Sequence, residues 1–455
     1  MEELNYNESY KYLGIEELEQ IRHEEVKSKV NKNVKNKLRK LLETELNARN
    51  LFQAINESIL PLITYSFGII NWNEDELKGL DIQIRKMLNM YRAFEIKSDV
   101  DRLYLPRGQG GRGLISVWDS FQSATSRIAH SIIHTNNTLL KQCAEVEEKS
   151  LYSSITRASK YESKYGIELP KNFYDKSVMA RARLLAKTVR DAITKARSDA
   201  YLNKPQHSAF IHLLQDSNAD VKQSLAWLKR CHLSPHIESY ICGAQEMALI
   251  TKFHEKHILK NSNDDKCRMC NKDPESIFHI LGACDVLAKR EYFTRHNNMC
   301  RYIHYKISQH FGLQVGENWY LHNPADVTRS DKCEIVYDQT IVTSRPVGAN
   351  RPDIIVKDKV NKKTLIIDVS CPVDTNAEKN ENEKISKYGP LRVELEKMWG
   401  TNADIIPVVV GGLGAVTKNL SDRLTKIPGC PDQFMCQKIC LLGSARILQD
   451  VLKRR

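Results

Sequence analysis

Four potential metal ligands lie close together in the middle of the chain. They follow the spacing Cys-x2-Cys-x8-His-x4-Cys at Cys267, Cys270, His279 and Cys284. Two cysteines separated by two residues can bind one ion from a tight turn, and four nitrogen and sulfur ligands around one centre are typical of a closed, structural zinc site. The spacing therefore predicts a zinc knuckle. Four ordinary buried residues are the alternative, and disulfides are disfavoured in a reducing compartment.

Basic residues flank this cluster at Lys266, Arg268 and Lys272. Small knuckles either bind single-stranded nucleic acid or pack on neighbouring domains. The positive charge favours the first role, so we expect Lys266 and Arg268 to contact phosphates.

Two aspartates lie in apolar, β-like runs within "RPDIIVKDKVNKKTLIIDVSCP", residues 351–372. If the two runs form an antiparallel hairpin, opposed residues have numbers that sum to 721, and Asp353 faces Asp368 on one side of the sheet. Like charges in opposed positions destabilise a sheet, and a divalent cation between them removes the conflict. The two carboxylates face each other only in this register, because a slip of one residue moves one of them to the other face. Strand-end carboxylates that pair with surface lysines are the alternative.

A Mg²⁺ or Mn²⁺ ion bound by two carboxylates can activate a water molecule and stabilise charge on a phosphodiester. A nearby lysine would orient that water or neutralise the developing charge. The helical stretch "EKISKY" that follows offers Lys384, Lys387 and Tyr388, of which Lys384 and Tyr388 share one helix face. For each lysine, a solvated helix face is the alternative.

After residue 330, where the segments that position the aspartates and lysines lie, the sequence changes to short β-branched runs separated by turns. Four β-branched runs, "CEIVYDQTIVTS", "PDIIV", "TLIIDVS" and "ADIIPVVV", are predicted as strands. A helix lies between the last two, and Gly389-Pro390 is expected to break or restart it. "GGLGAV" then predicts a tight turn rather than a phosphate loop, because no Gly-Lys-Ser/Thr follows. A compact α/β domain results.

The N-terminal half is predicted to be helical. Apolar residues recur every fourth position among lysines, at Val26, Val30, Val34, Leu38 and Leu42. This period predicts an amphipathic helix with a basic outer face, which either contacts phosphates or is simply solvated.

A glycine-rich stretch, "LYLPRGQGGRGLISV" at residues 103–117, is predicted to be a loop. Arg107 and Arg112 lie in it, where the backbone can approach a phosphate closely. An ordinary turn is the alternative.

Length, net charge and cysteine content limit the classes of protein to which the chain can belong. The chain has 455 residues, a net charge of +12 and a pI of about 9.0, which favours several domains and a polyanionic partner. Twelve cysteines without a secretory signal favour reduced thiols or metal sites in the nucleus or cytoplasm. No apolar run reaches the length of a membrane span, so we expect no membrane partner.

These motifs, taken in order, resemble the C-terminal part of the polyprotein of non-LTR retrotransposons that carry a restriction-like endonuclease. "SYKYLGI", residues 9–15, looks like the end of a reverse-transcriptase palm, and residues 102–117 look like the thumb segment. The Cys/His spacing matches the knuckle of that family. The aspartate segment, "EKISKY" and "ADIIPVVVGGLGAVTKNL" match its endonuclease.

The resemblance implies a PD-(D/E)XK nuclease fold that nicks target DNA with a divalent metal, after which the 3′ end primes reverse transcription of the element RNA. It implies that Asp353 and Asp368 bind metal and that Lys384 is the catalytic lysine, with Lys387 and Tyr388 in support. The more usual lysine position is occupied by Ser370. The Gly389-Pro390 pair departs from the unbroken helix that the family leads us to expect.

The resemblance also implies a domain order. It assigns 1–130 to the palm end and helical thumb, 131–255 to a helical linker region, 256–295 to the knuckle, 296–430 to the endonuclease and 431–455 to a C-terminal helix. Polymerase activity is not expected, because no Asp-Asp pair has apolar flanks, and the polymerase domain would have to act in trans. The alternatives are a remnant that binds nucleic acid without cutting it, and a genomic relic that barely folds.

Overall fold

The structure, a computed structural model, describes residues 10–12, 15–17 and 21–454. It divides into two compact units, Met1–Lys204 with Ser234–His236, and Pro205–Leu233 with Ile237–Arg455. Of the stretch predicted as the end of a palm, residues 9, 13 and 14 lie outside the described residues.

The first unit is built almost entirely of helices, as predicted. A short antiparallel pair precedes them, β1 (Tyr10–Tyr12) and β2 (Ile15–Glu17). The helices are α1 (His23–Leu42), α2 (Ala48–Ser58), α3 (Leu60–Thr64), α4 (Glu74–Met90), α5 (Val100–Tyr104), α6 (Val117–Ile133), α7 (Thr138–Glu147), α8 (Ser154–Lys164) and α9 (Val178–Leu202).

Helix α1 has the predicted amphipathic form. Val26, Val34 and Leu38 are buried in the core of this unit, and Val30 and Leu42 pack against that core. Most of the basic residues between them are exposed, at Lys29, Lys32, Lys35, Lys37, Arg39 and Lys40. The four-residue period therefore predicted both faces of this helix.

The second unit combines helices with one sheet. Its helices are α10 (Ala209–Asp216), α11 (Val221–Arg230), α12 (Pro235–Gln245), α13 (Lys252–His254), α14 (Ile277–Gly282), α15 (Asp285–Leu287), α16 (Phe293–His310), α17 (Ala377–Trp399), α18 (Leu420–Lys426) and α19 (Gln433–Leu452). Its strands are β3 (Val327–Arg329), β4 (Cys333–Tyr337), β5 (Ile354–Asp358), β6 (Lys363–Ser370) and β7 (Asn402–Val409).

The five strands of this sheet lie in the order β3-β4-β5-β6-β7. All neighbours are antiparallel except β6 and β7, which are parallel and are joined by α17. The predicted hairpin register is confirmed, because Ile354 pairs with Ile367 and Asp358 with Lys363, and every pair of residue numbers sums to 721.

The sheet is covered on both faces, and the alternation of its side chains decides which helix each residue meets. Ile355 of β5 and Ile366 of β6 pack with Leu391 of α17. The neighbouring residues Ile354 and Ile367 pack on the opposite face, in the core that α16 and α19 complete. Because successive side chains of a strand point to opposite faces, Asp368 shares the face of Ile366 and meets α17.

Two expectations about the elements were wrong. The run "CEIVYDQTIVTS" forms a strand only over Cys333–Tyr337, and the additional edge strand β3 pairs with it. Helix α17 continues through Gly389-Pro390 without a break, and Pro390 is exposed. The apolar face of α17, with buried Tyr388, Leu391 and Leu395, holds the helix on the sheet on both sides of the proline.

The glycine turn after β7 is the predicted close-packed turn. A Cβ atom on Gly411 would lie 2.3 Å from Oδ1 of Asp374, and Gly414 has a φ of +100°, which favours glycine. The Asp374 carboxylate accepts hydrogen bonds from the backbone N–H groups of Leu413 and Ala415 at 2.9 and 3.0 Å. The turn thus folds around one buried carboxylate.

Among the described residues, no helix combines the length and the apolar character that crossing a membrane requires.

Candidate functional site

The four predicted knuckle ligands converge. One ligand atom from each of Cys267, Cys270, His279 and Cys284 lies within 4.8 Å of the others. The Cys270 thiol lies 3.3 Å from Nε2 of His279, while Cys267 and Cys284 are fully buried. This Cys3His cluster can bind a metal ion.

Local backbone geometry explains why the cluster forms. The turn after Cys267 closes when the N–H of Asn271 donates to the Cys267 carbonyl over 2.7 Å, and Asn271 has a φ of +55°. Helix α14 presents His279, and its N-terminus is capped by the Ser276 hydroxyl, which accepts from the His279 N–H over 3.1 Å. Burial raises the pKa of Cys267 to about 11, so this thiol needs a bound cation to ionise at neutral pH.

Of the two basic residues predicted to contact phosphate beside the cluster, only Lys266 is exposed. Arg268 instead makes bidentate bonds with the fully buried carboxylate of Glu275, from Nη2 to Oε1 over 2.7 Å and from Nε to Oε2 over 2.8 Å. Its other terminal nitrogen donates to the carbonyl of Arg454 over 2.6 Å. Arg268 therefore ties the knuckle to the end of the chain, and its guanidinium is occupied.

The two aspartates meet at one end of the β5–β6 hairpin. Asp353 lies one residue before β5, so its place opposite Asp368 continues the register just beyond the paired strand. Oδ2 of Asp353 accepts a hydrogen bond from the N–H of Val369 over 2.6 Å. The carboxylate of Asp353 therefore rests against the backbone beside Asp368.

Helix α17 brings two side chains to the buried carboxylate of Asp368. The Tyr388 hydroxyl donates to Oδ1 over 2.6 Å, and the Lys384 ammonium pairs with Oδ2. The same hydroxyl lies 3.2 Å from the carbonyl oxygen of Arg351, so it links the two strand segments. Burial and the bond to Asp368 raise the pKa of Tyr388, which keeps this phenol neutral.

Lys387, the third residue predicted on this helix, contacts Tyr388 rather than either aspartate. Its ammonium donates to the Tyr388 hydroxyl over 3.0 Å and lies 4.6 Å from the centre of the Tyr388 ring. It therefore contacts Asp368 only through Tyr388.

Sequence reasoning missed two residues of α16 at this site. Nε2 of His296 lies 3.1 Å from Oδ2 of Asp353. Burial lowers the pKa of His296, but the hydrogen bonds to Asp353 and Cys300 and the charges of these two groups together raise it above its ordinary value. The buried guanidinium of Arg295 donates to the carbonyls of Leu281 and Cys371 over 2.8 Å each. A histidine-arginine pair on an otherwise unremarkable helix carries no spacing signal that would have found it.

Several of these side chains border an open cleft. Lys384, His296 and Arg295 line it, together with Tyr292 of the segment that follows the knuckle. The Tyr292 hydroxyl accepts from the N–H of Cys284 over 3.1 Å and donates to carbonyl oxygens of α14. Gly282 of α14 lines the cleft as well, so it is bordered by residues close to the Cys3His cluster and by two residues that contact the acids, Lys384 and His296.

The glycine-rich stretch at residues 103–117 does not present both of its arginines for phosphate contact, contrary to what the sequence leads us to expect. Arg112 is 2% exposed, donates to the Ala93 carbonyl over 2.6 Å and lies 4.7 Å from the Phe52 ring centre. This buried position is unsuited to a phosphate contact. Arg107 is half-buried, 5.6 Å from the same ring. The loop is therefore packed against Phe52.

No protein-family model matches the chain, and no curated protein matches its sequence.

Proposed function

We propose that the second unit is a metal-dependent DNA endonuclease. The observation that carries this proposal is the convergence on Asp368. Helix α17 supplies Lys384 and Tyr388 to this buried carboxylate, while the Asp353 carboxylate lies against the adjoining peptide. Two carboxylates, a lysine and an open cleft form the minimal set for metal-assisted cleavage of a phosphodiester.

The residues suit Mg²⁺ or Mn²⁺. Both ions prefer oxygen ligands, and the two aspartates offer only oxygens. Each carboxylate oxygen has two lone pairs, so Asp368 can bind a cation while it accepts from Tyr388. When bound, the ion would activate a water molecule and offset charge on the phosphate.

The protein's own groups have separable tasks in this account. Tyr388 fixes the rotation of the Asp368 carboxylate, because its ring is buried and its hydroxyl accepts a hydrogen bond from Lys387. Lys384 carries a positive charge on a rigid helix at the border of the cleft. There it would orient water or neutralise the oxygen that leaves the phosphate.

We also propose that the Cys3His cluster binds zinc in a structural role. Its four ligands leave no open position, and three of them are buried. Lys266 beside it and the exposed lysines of α1 would contact nucleic-acid phosphates.

The order of motifs supports a further proposal, that the chain is the C-terminal part of a non-LTR retrotransposon protein with a restriction-like endonuclease. Its partners would be target DNA and element RNA. A net charge of +12 suits both polyanions. Polymerase activity is not proposed for this chain.

A plasmid-nicking assay tests the endonuclease proposal. Purified chain is incubated with supercoiled DNA in Mg²⁺, in Mn²⁺ or in EDTA, beside Asp368→Asn. Asp404→Asn is the matched control, because Asp404 is an aspartate of the same sheet that pairs with Lys363 at the surface. We expect metal-dependent nicking that only Asp368→Asn abolishes. Salt-sensitive DNA binding without any nicking would instead identify a remnant that binds nucleic acid and does not cut.

A further inference from the structure

His296 contacts one of the two acids from a different part of the fold than α17. It lies near the start of α16, which packs on the sheet face opposite α17. Its ring reaches the end of β5, where Nε2 lies 3.1 Å from Oδ2 of Asp353. The side chain is about one quarter exposed and borders the open cleft.

The two oxygens of Asp353 have different surroundings. Oδ2 receives two donors, the N–H of Val369 over 2.6 Å and the imidazole of His296 over 3.1 Å. Together these two bonds fix both the position and the rotation of the carboxylate. Because both bonds are made by Oδ2, Oδ1 is the oxygen that can bind a cation.

The imidazole is itself held in place. Nδ1 of His296 lies 3.1 Å from Oδ1 of Asn297, and the buried Cys300 thiol lies 3.7 Å from both ring nitrogens. Cys300 is one helical turn further along α16, and it is 1% exposed. These contacts favour the ring orientation that meets Asp353.

We propose that His296 is a positioning residue of the nuclease site, which holds the Asp353 carboxylate by a hydrogen bond so that Oδ1 binds the divalent cation. This inference rests on the proposed endonuclease function. Donors that orient a metal-binding carboxylate typically contribute about 10- to 100-fold to metal affinity or activity.

The same three side chains could be interpreted as a separate metal site, because ligand atoms of His296, Cys300 and Asp353 lie within 4.8 Å of one another. The hydrogen-bonding geometry favours the positioning role. Oδ2 of Asp353 accepts from the Val369 N–H and meets Nε2 of His296, so both of its lone pairs have partners, and the thiol is equally distant from both ring nitrogens. A metal site that used the thiol would depend on Cys300 as much as on His296, whereas in the positioning role Cys300 only packs against the ring and its replacement by serine matters less.

The test measures Mn²⁺ binding to the full chain by titration calorimetry, with the Cys3His cluster loaded with zinc beforehand. His296→Leu removes the donor and keeps the bulk, while His296→Gln retains an N–H near the position of Nε2. His310→Ala is the control, because His310 is exposed at the far end of the same helix. We expect His296→Leu to weaken Mn²⁺ binding by about 10-fold or more, and His296→Gln and His310→Ala to stay within about threefold of the wild type.

The outcomes separate this inference from the endonuclease proposal. If the wild type binds Mn²⁺ and His296→Leu binds it equally well, the positioning role is wrong and the endonuclease proposal stands. Should Cys300→Ser weaken binding as much as His296→Leu, the three side chains form a metal site and the positioning role is again wrong. Absence of Mn²⁺ binding by the wild type overturns both. If His296→Leu fails to fold, the comparison of His296→Gln with Cys300→Ser still decides between the two roles.

Discussion

Tyr388 donates its hydroxyl hydrogen to Oδ1 of Asp368 over 2.6 Å, and this bond joins the middle of α17 to the C-terminal end of β6. The Tyr388 ring is 1% exposed, so packing keeps the hydroxyl in place. A buried bond to a charged group is stronger than one between neutral partners. Tyr388 therefore both anchors the helix and orients an acid.

Tyr388→Phe separates these two roles. The ring still fills its place, so we expect the fold to persist with a loss of about 1–3 kcal/mol in the free energy of unfolding. The Asp368 carboxylate loses its orienting donor, so the Mg²⁺ concentration for half-maximal nicking should rise about 10-fold or more. Tyr320→Phe, at an exposed tyrosine, should change neither quantity. An unchanged Mg²⁺ requirement in Tyr388→Phe would contradict the orienting role.

Lys384 is expected to be required for the chemical step. Lys384→Met keeps much of the side-chain length and removes the charge that pairs with Asp368. We expect the nicking rate at saturating Mg²⁺ to fall at least about 100-fold, because a positioned cation at the reacting phosphate is worth several kcal/mol in comparable sites. Measurement of the rate under single-turnover conditions isolates this step.

The control for Lys384 lies one turn and a half earlier on the same helix. Lys379 is exposed and pairs loosely with Glu383 over 3.8 Å. Lys379→Met should nick at the wild-type rate. Equal losses in Lys379→Met and Lys384→Met would indicate that both act only through general attraction of DNA.

Removal of metal from the Cys3His cluster should destabilise the second unit. The cluster brings a turn and helix α14 together, and binding energy at such a site is also folding energy. We expect a strong chelator, or Cys284→Ser, to lower the midpoint of thermal unfolding by about 5 °C or more. Cys430→Ser, at an exposed cysteine outside the cluster, should have no such effect. Metal analysis should find one zinc per wild-type chain, and a chain that lacks zinc yet unfolds at the same temperature would refute this role.

Asp374 should make stability depend on pH. Burial raises its pKa from 3.8 to about 6. Between these values the unfolded chain releases a proton that the folded chain retains, so stability falls as pH rises from about 4 to 6. Asp374→Asn keeps an acceptor for the N–H groups of Leu413 and Ala415 and cannot ionise.

The difference in unfolding free energy between Asp374→Asn and the wild type should therefore rise with pH across that range, by at most about 3 kcal/mol. Denaturant titrations at pH 4, 5, 6 and 7 measure it. A difference that stays constant with pH would mean that the Asp374 pKa is not raised.

The Cys3His cluster and the hairpin register could be predicted because local spacing determines both. The Cys-x2-Cys turn fixes two ligands, and the hairpin register follows from the short polar loop at 359–362 that joins the two apolar strands. In both cases, residues close in sequence fold into short-range structure. The face of α1 was predictable for the same reason, since period alone decides which residues are buried.

The features that could not be predicted depend on packing between residues that are distant in sequence. The continuity of α17 through Pro390 depends on Leu391 and Leu395, which pack on strands that are distant in sequence. Arg112 packs on the Phe52 ring, and Arg268 forms a salt bridge with Glu275. Whether either arginine can contact a phosphate therefore depends on tertiary contacts. His296 meets Asp353 across 57 positions of the chain, and no local pattern indicates such a pairing.

The central claim is that Asp353 and Asp368 together support metal-dependent cleavage of DNA. The most direct measurement is the rate at which the wild type and Asp353→Asn convert supercoiled plasmid to nicked circle in Mg²⁺, with EDTA as the blank. A DNA polymerase supplied afterwards tests whether the nicks carry extendable 3′ hydroxyls. We expect Mg²⁺-dependent nicks that can be extended, and a nicking rate at least about 100-fold lower in Asp353→Asn. Nicking at the same rate by both proteins, or none by the wild type at any Mg²⁺ concentration, would contradict it.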